Sequence, residues 1–403
     1  MIDASLLPLS GITREELKER AKRLGETLRE KGITLAIVGY NPDLFYFTGS
    51  IQQGFALITQ EGEVVYLVRK DHERALIESP LETIMPFKRF KEIKGTIKQL
   101  MGRVPGTIAL SFDVIPTALF FRFKDLLNHV DFVDGSSLIR SCRMAKSPFE
   151  IRNIQEGIGI YDKVIKQMPL LIREGMTEAE AEETLILAMR RYGNQVRVRM
   201  RGWNQEGISA CICAGRGAAV PTFLDAPMGG VGMTPAVAMG GGIQKIGRDE
   251  PIVFDAGPGV NGYVSDQTRT AVLGRLPSRL EKAYRVTVDM VHRFEAEAKP
   301  GDACSDWFLK LESMSREVGL EDYFMGYKER RAKYVGHGIG LELNEWPVLG
   351  KGLPWRLEPG MVIALEPKMV FPEVGAVGLE NDYLVTEMGV KRLSVTSDEI
   401  VNL

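Results

Sequence analysis

Four acidic residues in the second half of the chain lie in extended, apolar surroundings where a carboxylate is rarely found. Asp255 and Asp266 belong to two strand-like stretches joined by a glycine-containing turn, and Glu366 and Glu380 belong to a second such pair. Burying these carboxylates without cations would be so costly that they would have to take up protons instead. The chain must therefore fold so that positive charge meets all four.

The first pair of strands predicts a hairpin centred between Val260 and Asn261. In that register Asp255 stands directly opposite Asp266, with Cβ atoms about 5 Å apart. Two like charges facing each other destabilise a sheet unless something positive lies between them.

The second pair predicts a hairpin centred on Glu373, which places Glu366 opposite Glu380. His337 stands in the segment 336–340 between glycines, where backbones approach closely. Four carboxylates and one imidazole suit two divalent ions such as manganese, cobalt, zinc or iron. Alone, His337 would more often be an ordinary core or surface residue.

Length and charge limit the remaining possibilities. With 403 residues the chain exceeds one core of usual size, so we expect two domains. A net charge of -2 gives no field that would recruit nucleic acid or an anionic membrane surface. The start of the chain does not resemble a signal peptide, and four cysteines form no disulfide framework. We expect a cytoplasmic protein with reduced thiols and no partnership with membrane or nucleic acid.

The pattern of elements predicts an α/β domain over residues 1–142 and a second domain over 143–403. In the first, a helix from Thr13 precedes alternating strands and helices. The joint contains Ser147-Pro148, which predicts a capped helix start with Glu150 completing a capping box. Between Thr222 and Ile243 the sequence is glycine-rich and aperiodic, and we interpret it as a mobile loop at the mouth of the metal site.

The order of these motifs resembles the pita-bread metallopeptidase family, which includes prolidase, aminopeptidase P, methionine aminopeptidase and the metal-free creatinase. The resemblance spans nearly the whole chain, and it implies an α/β N-terminal domain followed by an α+β pita-bread catalytic domain. It rests on motifs in both domains, namely Tyr46-Phe47-Thr48-Gly49, Arg143-x-x-Lys146-Ser147-x-x-Glu150, Phe254-Asp255-Ala256-Gly257, Ser265-Asp266-Gln267-Thr268-Arg269-Thr270, Gly336-His337-Gly338-Ile339-Gly340, Glu366-Pro367 and Glu380.

Two positions depart from the family pattern. Peptidases of this family carry a histidine where this chain has Asn344, and another where it has Thr222. In the family those histidines position substrate and handle the proton or oxyanion. A neutral amide such as that of Asn344 donates hydrogen bonds but does not shuttle a proton near neutral pH.

The resemblance implies a two-metal hydrolase that cleaves next to proline, like X-Pro dipeptidase or aminopeptidase P. Asp255, Asp266, His337, Glu366 and Glu380 would bind the ions, a hydroxide between them would attack the peptide carbonyl, and Glu366 would carry the proton. No organic cofactor is implied, and a homodimer is expected. Two alternatives stay open: a metal-dependent enzyme acting on a small non-peptide molecule, or a metal-binding homologue without catalysis.

Overall fold

The computed structural model describes residues 2–403 and divides them into two compact units. One unit ends at Arg143 and also includes Gly202–Asn204, and the other begins at Met144. The domain boundary predicted between residues 142 and 143 lies one residue before this break.

The first unit is built on one mixed sheet of six strands in the order β4-β3-β2-β1-β5-β6. Its strands are β1 (Leu35–Val38), β2 (Gly54–Thr59), β3 (Val64–Val68), β4 (Ile84–Pro86), β5 (Thr107–Leu110) and β6 (Asp131–Asp134). Its helices are α1 (Arg14–Glu30), α2 (Asn41–Thr48), α3 (His72–Glu78), α4 (Glu92–Met101), α5 (Thr117–Leu126) and α6 (Ser136–Cys142).

The central strand β1 of this sheet is buried on both of its faces. It pairs antiparallel with β2 and parallel with β5, and all four of its residues are buried. Strands covered on both sides read as continuous apolar runs, as Leu35–Val38 does. Phe55, Phe90 and Phe123 form an aromatic cluster beside the sheet, with ring centroids 4.9 to 6.3 Å apart. The predicted α/β character of this unit follows from that packing.

The second unit contains the remaining helices and strands. Its helices are α7 (Pro148–Ile165), α8 (Met168–Leu171), α9 (Glu178–Arg191), α10 (Ser278–Glu297) and α11 (Cys304–Glu317). Its strands are β7 (Ala210–Ala214), β8 (Ile252–Ala256), β9 (Gly259–Val260), β10 (Tyr263–Val264), β11 (Gln267–Val272), β12 (Tyr334–Gly338), β13 (Glu345–Gly350), β14 (Val362–Leu365), β15 (Lys368–Phe371), β16 (Gly375–Gly378), β17 (Asn381–Val385), β18 (Val390–Arg392) and β19 (Val401–Asn402).

Two larger sheets organise this unit. One has the order β19-β11-β8-β7 and the other β13-β12-β14-β17-β18, while β9-β10 and β15-β16 are two-stranded hairpins. The isolated β-bridge between Thr268 and Glu380 connects the two larger sheets. Helices α10 and α11 supply much of the largest buried apolar cluster, which includes Phe294, Trp307 and Tyr383.

Local capping signals set the starts of two of the five α-helices described in this unit. The capping boxes Ser147–Glu150 and Thr177–Glu180 open α7 and α9, and in each the two residues exchange both hydrogen bonds. Helix α10 begins at Ser278, and the preceding N-cap residue, Pro277, makes no side-chain capping hydrogen bond.

The first predicted hairpin register is wrong by two residues. Val260 pairs with Tyr263, so the tight turn consists of Asn261 and Gly262, whose φ angles are 50° and 89°. An Asn-Gly pair with positive φ at both positions is what a two-residue type I′ hairpin turn requires. Asp255 therefore faces Thr268 rather than Asp266. Asp266 lies two residues before Thr268, so alternation keeps both carboxylates on one side.

The second predicted register is confirmed. Lys368 pairs with Gly378 in the β15–β16 hairpin, and Leu365 pairs with Asn381 between β14 and β17. Glu366 and Glu380 each lie one residue beyond the Leu365–Asn381 pair, at the seam between the two ladders.

The four cysteines are all buried and free. No helix within residues 2–403 has both the length and the apolar character needed to cross a bilayer.

Candidate metal centre

The predicted ligand residues come from both sheets of the second unit and meet at the seam between them. Asp255 lies in β8 and His337 in β12, while Asp266 precedes β11, Glu366 follows β14 and Glu380 precedes β17. At the seam the backbone N–H of Glu380 donates to the carbonyl of Thr268 at 3.1 Å. The sheets are thus joined by backbone at the position where the carboxylates converge.

Three of the five residues form a group of the size that a metal ion needs. Asp266, His337 and Glu380 each offer one donor atom, and these atoms all lie within 4.8 Å of one another. His337 Nε2 is 3.7 Å from Asp266 Oδ2 and also 3.7 Å from Glu366 Oε1. Two carboxylates and one imidazole are a donor set for zinc, manganese, iron or cobalt.

The sequence reasoning missed a sixth member of the cluster, Lys368. Its Nζ lies 2.5 Å from Glu366 Oε2, 3.2 Å from Asp255 Oδ2 and 3.3 Å from Glu380 Oε2. Its side chain is only 1% exposed. The signal was present in the sequence, because residues two apart in a strand point to the same side, and Lys368 stands two residues after Glu366.

The protonation behaviour of the cluster reflects burial and excess negative charge. Burial raises the pKa of the Asp266 carboxyl well above its usual value, and the nearby carboxylates of Glu380 and Asp255 raise it further. The pKa of Glu380 is raised by burial too, against the opposing effect of the Lys368 ammonium. Burial alone would lower the pKa of Lys368, but its carboxylate partners raise it well above its usual value. One ammonium therefore leaves this cluster short of positive charge.

The hydrogen bonds of Glu380 and His337 fit a cation bound beside Asp266, His337 and Glu380. Glu380 Oε2 accepts a hydrogen bond from Thr268 Oγ1 at 2.8 Å, while Glu380 Oε1 is buried and has no hydrogen-bond partner within residues 2–403. His337 Nδ1 lies 3.1 Å from the carbonyl of Gly338, which can only accept. In a neutral imidazole this contact places the proton on Nδ1 and directs the Nε2 lone pair toward the carboxylates, as in metal-binding histidines.

Asp255 and Glu366 differ from Asp266 and His337 in that both contact the Lys368 ammonium. The Lys368 ammonium therefore lies between the carboxylates of Asp255 and Glu366.

Arg269 is completely buried and contacts the backbone on both sides of the seam. Its Nη1 donates to the carbonyls of Thr268 at 2.7 Å and Glu380 at 2.8 Å, and its Nη2 donates to the Asn381 side chain at 2.7 Å. These bonds fix the backbone on both sides of the Thr268–Glu380 bridge. Arg269 is thus a positioning residue for the cluster.

The two positions that depart from the family pattern are tied to neighbouring backbone. Asn344 Oδ1 accepts from the N–H of Arg201 at 2.8 Å, and its Nδ2 donates to the carbonyl of Arg201 at 3.0 Å. Thr222 Oγ1 donates to the carbonyl of Ala238 at 3.2 Å. Both side chains therefore hold loops in this structure, and their predicted place beside the substrate stays a prediction.

The segment from Thr222 to Ile243 contains no strand or helix, as predicted for a loop. Near its start, the Asp225 carbonyl accepts from the hydroxyl of Tyr334 at 2.8 Å, and the Tyr334 ring lies 6.1 Å from the ring of His337. A path of contacts therefore connects the loop to His337.

The end of the loop is fixed by two carboxylates of α9, of which Glu178 is buried and Glu182 is half-buried. Gly241 N–H donates to Glu182 at 2.8 Å, and Gly242 N–H donates to Glu178 at 3.0 Å. The same two carboxylates accept from backbone N–H groups of β7. Desolvation raises the pKa of Glu178 and of Glu182.

Comparison with known proteins identifies both parts of the chain. Residues 152–387 match the model of metallopeptidase family M24, and residues 20–145 match that of the creatinase/prolidase N-terminal domain. An Xaa-Pro dipeptidase from Pyrococcus furiosus is 28% identical over 389 residues, covering 96% of this chain and 100% of the relative.

Solved structures agree with this assignment. The prolidase from Pyrococcus horikoshii OT3 superimposes with a TM-score of 0.79 at 25% identity, covering 95% of this chain and 100% of the prolidase. An Xaa-Pro dipeptidase from Bacillus anthracis has the same fold, with a TM-score of 0.82 at 22% identity over 96% of this chain and 100% of that one. The resemblance and the fold class expected from the sequence are confirmed. The chain belongs to metallopeptidase family M24, a membership that implies divalent metal ions, and carries a creatinase/prolidase N-terminal domain.

Proposed function

We propose that this chain is a metal-dependent hydrolase of small peptides, and that its substrates are dipeptides whose second residue is proline. The observation that carries the proposal is the convergence of Asp266, His337 and Glu380 within 4.8 Å, in a chain of family M24. Relatives named Xaa-Pro dipeptidase, aligned over nearly the whole chain, support the choice of substrate. They do not favour the alternative of a small non-peptide substrate.

We assign Asp266, His337 and Glu380 as the residues that would hold the metal. Thr268 orients Glu380 by donating to its Oε2, which leaves Oε1 for the ion. Asp255 and Glu366, predicted from the sequence as further ligands, both contact the Lys368 ammonium. When bound, a divalent ion polarises the scissile carbonyl and makes water a stronger nucleophile.

Glu366 is our candidate for proton transfer. Glu366 is only 5% exposed, so its carboxylate is largely shielded from bulk water. Lys368 holds Oε2 at 2.5 Å, and Oε1 lies on the side of His337. In the proposed reaction Glu366 Oε1 accepts the proton of the attacking water and returns it to the departing proline nitrogen.

The proposal extends to the identity of the metal, the oligomeric state and the location of the protein. The donor set suits manganese, cobalt, zinc or iron. Family resemblance favours a homodimer, and four buried free thiols favour the cytoplasm.

The test is a panel of X-Pro dipeptides with added Mn²⁺, compared with proline-free dipeptides and with tripeptides that carry proline second. We expect release of free proline from X-Pro dipeptides and loss of the activity with a chelator. Glu366→Gln should lower kcat by about 10²–10⁴-fold, since it removes a positioned acid–base group. Glu373→Gln, at an exposed turn between β15 and β16, is the matched control and should leave the rate unchanged. Metal-loaded protein that releases no proline would contradict the proposal.

A further inference from the structure

We propose that Lys368 takes the place of one metal ion, so that the chain binds a single divalent ion, at Asp266, His337 and Glu380. The inference refines the proposed function by fixing the metal content of its site. It depends on that function only for the existence of a metal site, because metal content is measured without any substrate.

The first argument is the position of the ammonium. Nζ of Lys368 touches Asp255, Glu366 and Glu380, each within 3.3 Å. A second ion bound by Asp255 and Glu366 would need their oxygens at about 2.0–2.2 Å. It would therefore occupy the volume that already contains the ammonium, and two cations cannot share it.

The second argument is that the lysine is fixed in place. Its backbone carbonyl accepts from the N–H of Met325 at 2.9 Å, and it pairs with Gly378 in the β15–β16 hairpin. A Cβ on Gly378 would come within 2.8 Å of the Lys368 Cγ, so the stem lies tightly against this strand. Its side chain is 1% exposed, so an incoming ion would have to move a buried, tightly packed lysine to take its place.

The third argument is charge. Asp255, Asp266, Glu366 and Glu380 bring four carboxylates to the seam, and Lys368 already pairs with three of them. What remains is Asp266, the unpartnered Oε1 of Glu380 and the imidazole of His337, which are the donors grouped within 4.8 Å. One divalent ion satisfies that remainder.

The experiment measures ions per chain by equilibrium dialysis against saturating Mn²⁺ followed by elemental analysis. Wild-type protein should hold one ion. Lys368→Ala, which removes the ammonium and its stem, should hold two. Lys368→Arg keeps the positive charge and should hold one, while Asp266→Ala should hold none.

Lys146→Ala is the matched control, because Lys146 is also buried and ion-paired in the same unit, with Glu345 at 3.0 Å. It should hold one ion, like wild type. Circular dichroism of each variant verifies that it is folded before its metal is counted.

Wild-type protein with two ions overturns the inference, even if Lys368→Ala does not fold, and so does wild-type protein with none. A folded Lys368→Ala variant that still holds one ion also overturns it. Failure of the proposed function looks different. Protein with one ion that cleaves no X-Pro dipeptide refutes the function and leaves this inference standing, whereas two ions with cleavage refutes only the inference.

Discussion

Each side chain around the metal centre contacts particular neighbours. Those contacts determine how a substitution at that position affects stability or metal binding. Glu380 is oriented by Thr268, Asp255 and Glu366 contact the Lys368 ammonium, and the backbone of the seam is held by Arg269. The residues that depart from the family pattern lie outside this group. Asn344 in particular forms a two-way clamp on Arg201, which is a structural task.

We therefore predict that Asn344→Ala lowers the free energy of unfolding by about 1–3 kcal/mol, because the backbone N–H and carbonyl of Arg201 each lose their hydrogen bond to Asn344. Metal content should stay as in wild type, since no predicted ligand bonds to Asn344. Urea denaturation followed by circular dichroism measures the change. Gln155→Ala, at an exposed position of α7, is the control and should stay within about 0.5 kcal/mol of wild type. If Asn344→Ala is as stable as the control, the clamp does not stabilise the fold.

The hairpins show how far local sequence patterns determine the site. The register of the second hairpin followed from the spacing of Glu366 and Glu380, because strands and turn are symmetric about Glu373. The first failed because the turn was centred by spacing alone. Its conformation is set by Asn261 and Gly262, the two residues that tolerate positive φ. Turn chemistry, already visible in the sequence, outweighed symmetry.

Lys368 shows a different limit of sequence reasoning. Strand alternation places its side chain on the same side as Glu366, so its direction was predictable. That its ammonium reaches Asp255 on β8 depends on how the two sheets meet at the Thr268–Glu380 bridge. Such a contact between distant segments is fixed by tertiary packing, and one sequence carries no local signal for it.

The Asn-Gly turn gives a prediction at the level of the hairpin. Gly262→Ala should lower the free energy of unfolding by about 1–2 kcal/mol, because an L side chain is strained at the φ of this residue. The φ angle of Gly262 is 89°, which lies in the left-handed region that favours glycine. Gly159→Ala is the control: Gly159 is helical in α7 with open space around its Cβ position, so the change should stabilise by about 0.5–1 kcal/mol. Chemical denaturation of both variants decides, and equal effects would show that the turn conformation is not strained by alanine.

On the scale of the whole molecule, the metal centre belongs to one of the two compact units. All five predicted ligands and Lys368 lie after Met144, and the unit that ends at Arg143 contributes none of them. An ion that binds only the folded second unit stabilises that unit by mass action, by about 2.7 kcal/mol when free ion is at a hundred times its Kd. The effect should therefore be local rather than shared by the chain.

Hydrogen exchange measured with Mn²⁺ and again with a chelator tests this. Peptides that contain β8 (Ile252–Ala256), β12 (Tyr334–Gly338) and β17 (Asn381–Val385) should exchange up to about a hundredfold more slowly with the ion, which is the rate equivalent of that stabilisation. Peptides of β1 (Leu35–Val38) should exchange at the same rate in both conditions, and they serve as the internal control. Equal slowing in β1 would mean that the two units open together, and the local binding assumed here would be wrong. If β12 is unaffected while β8 is slowed, His337 is not a ligand, because its strand would then gain nothing from the ion.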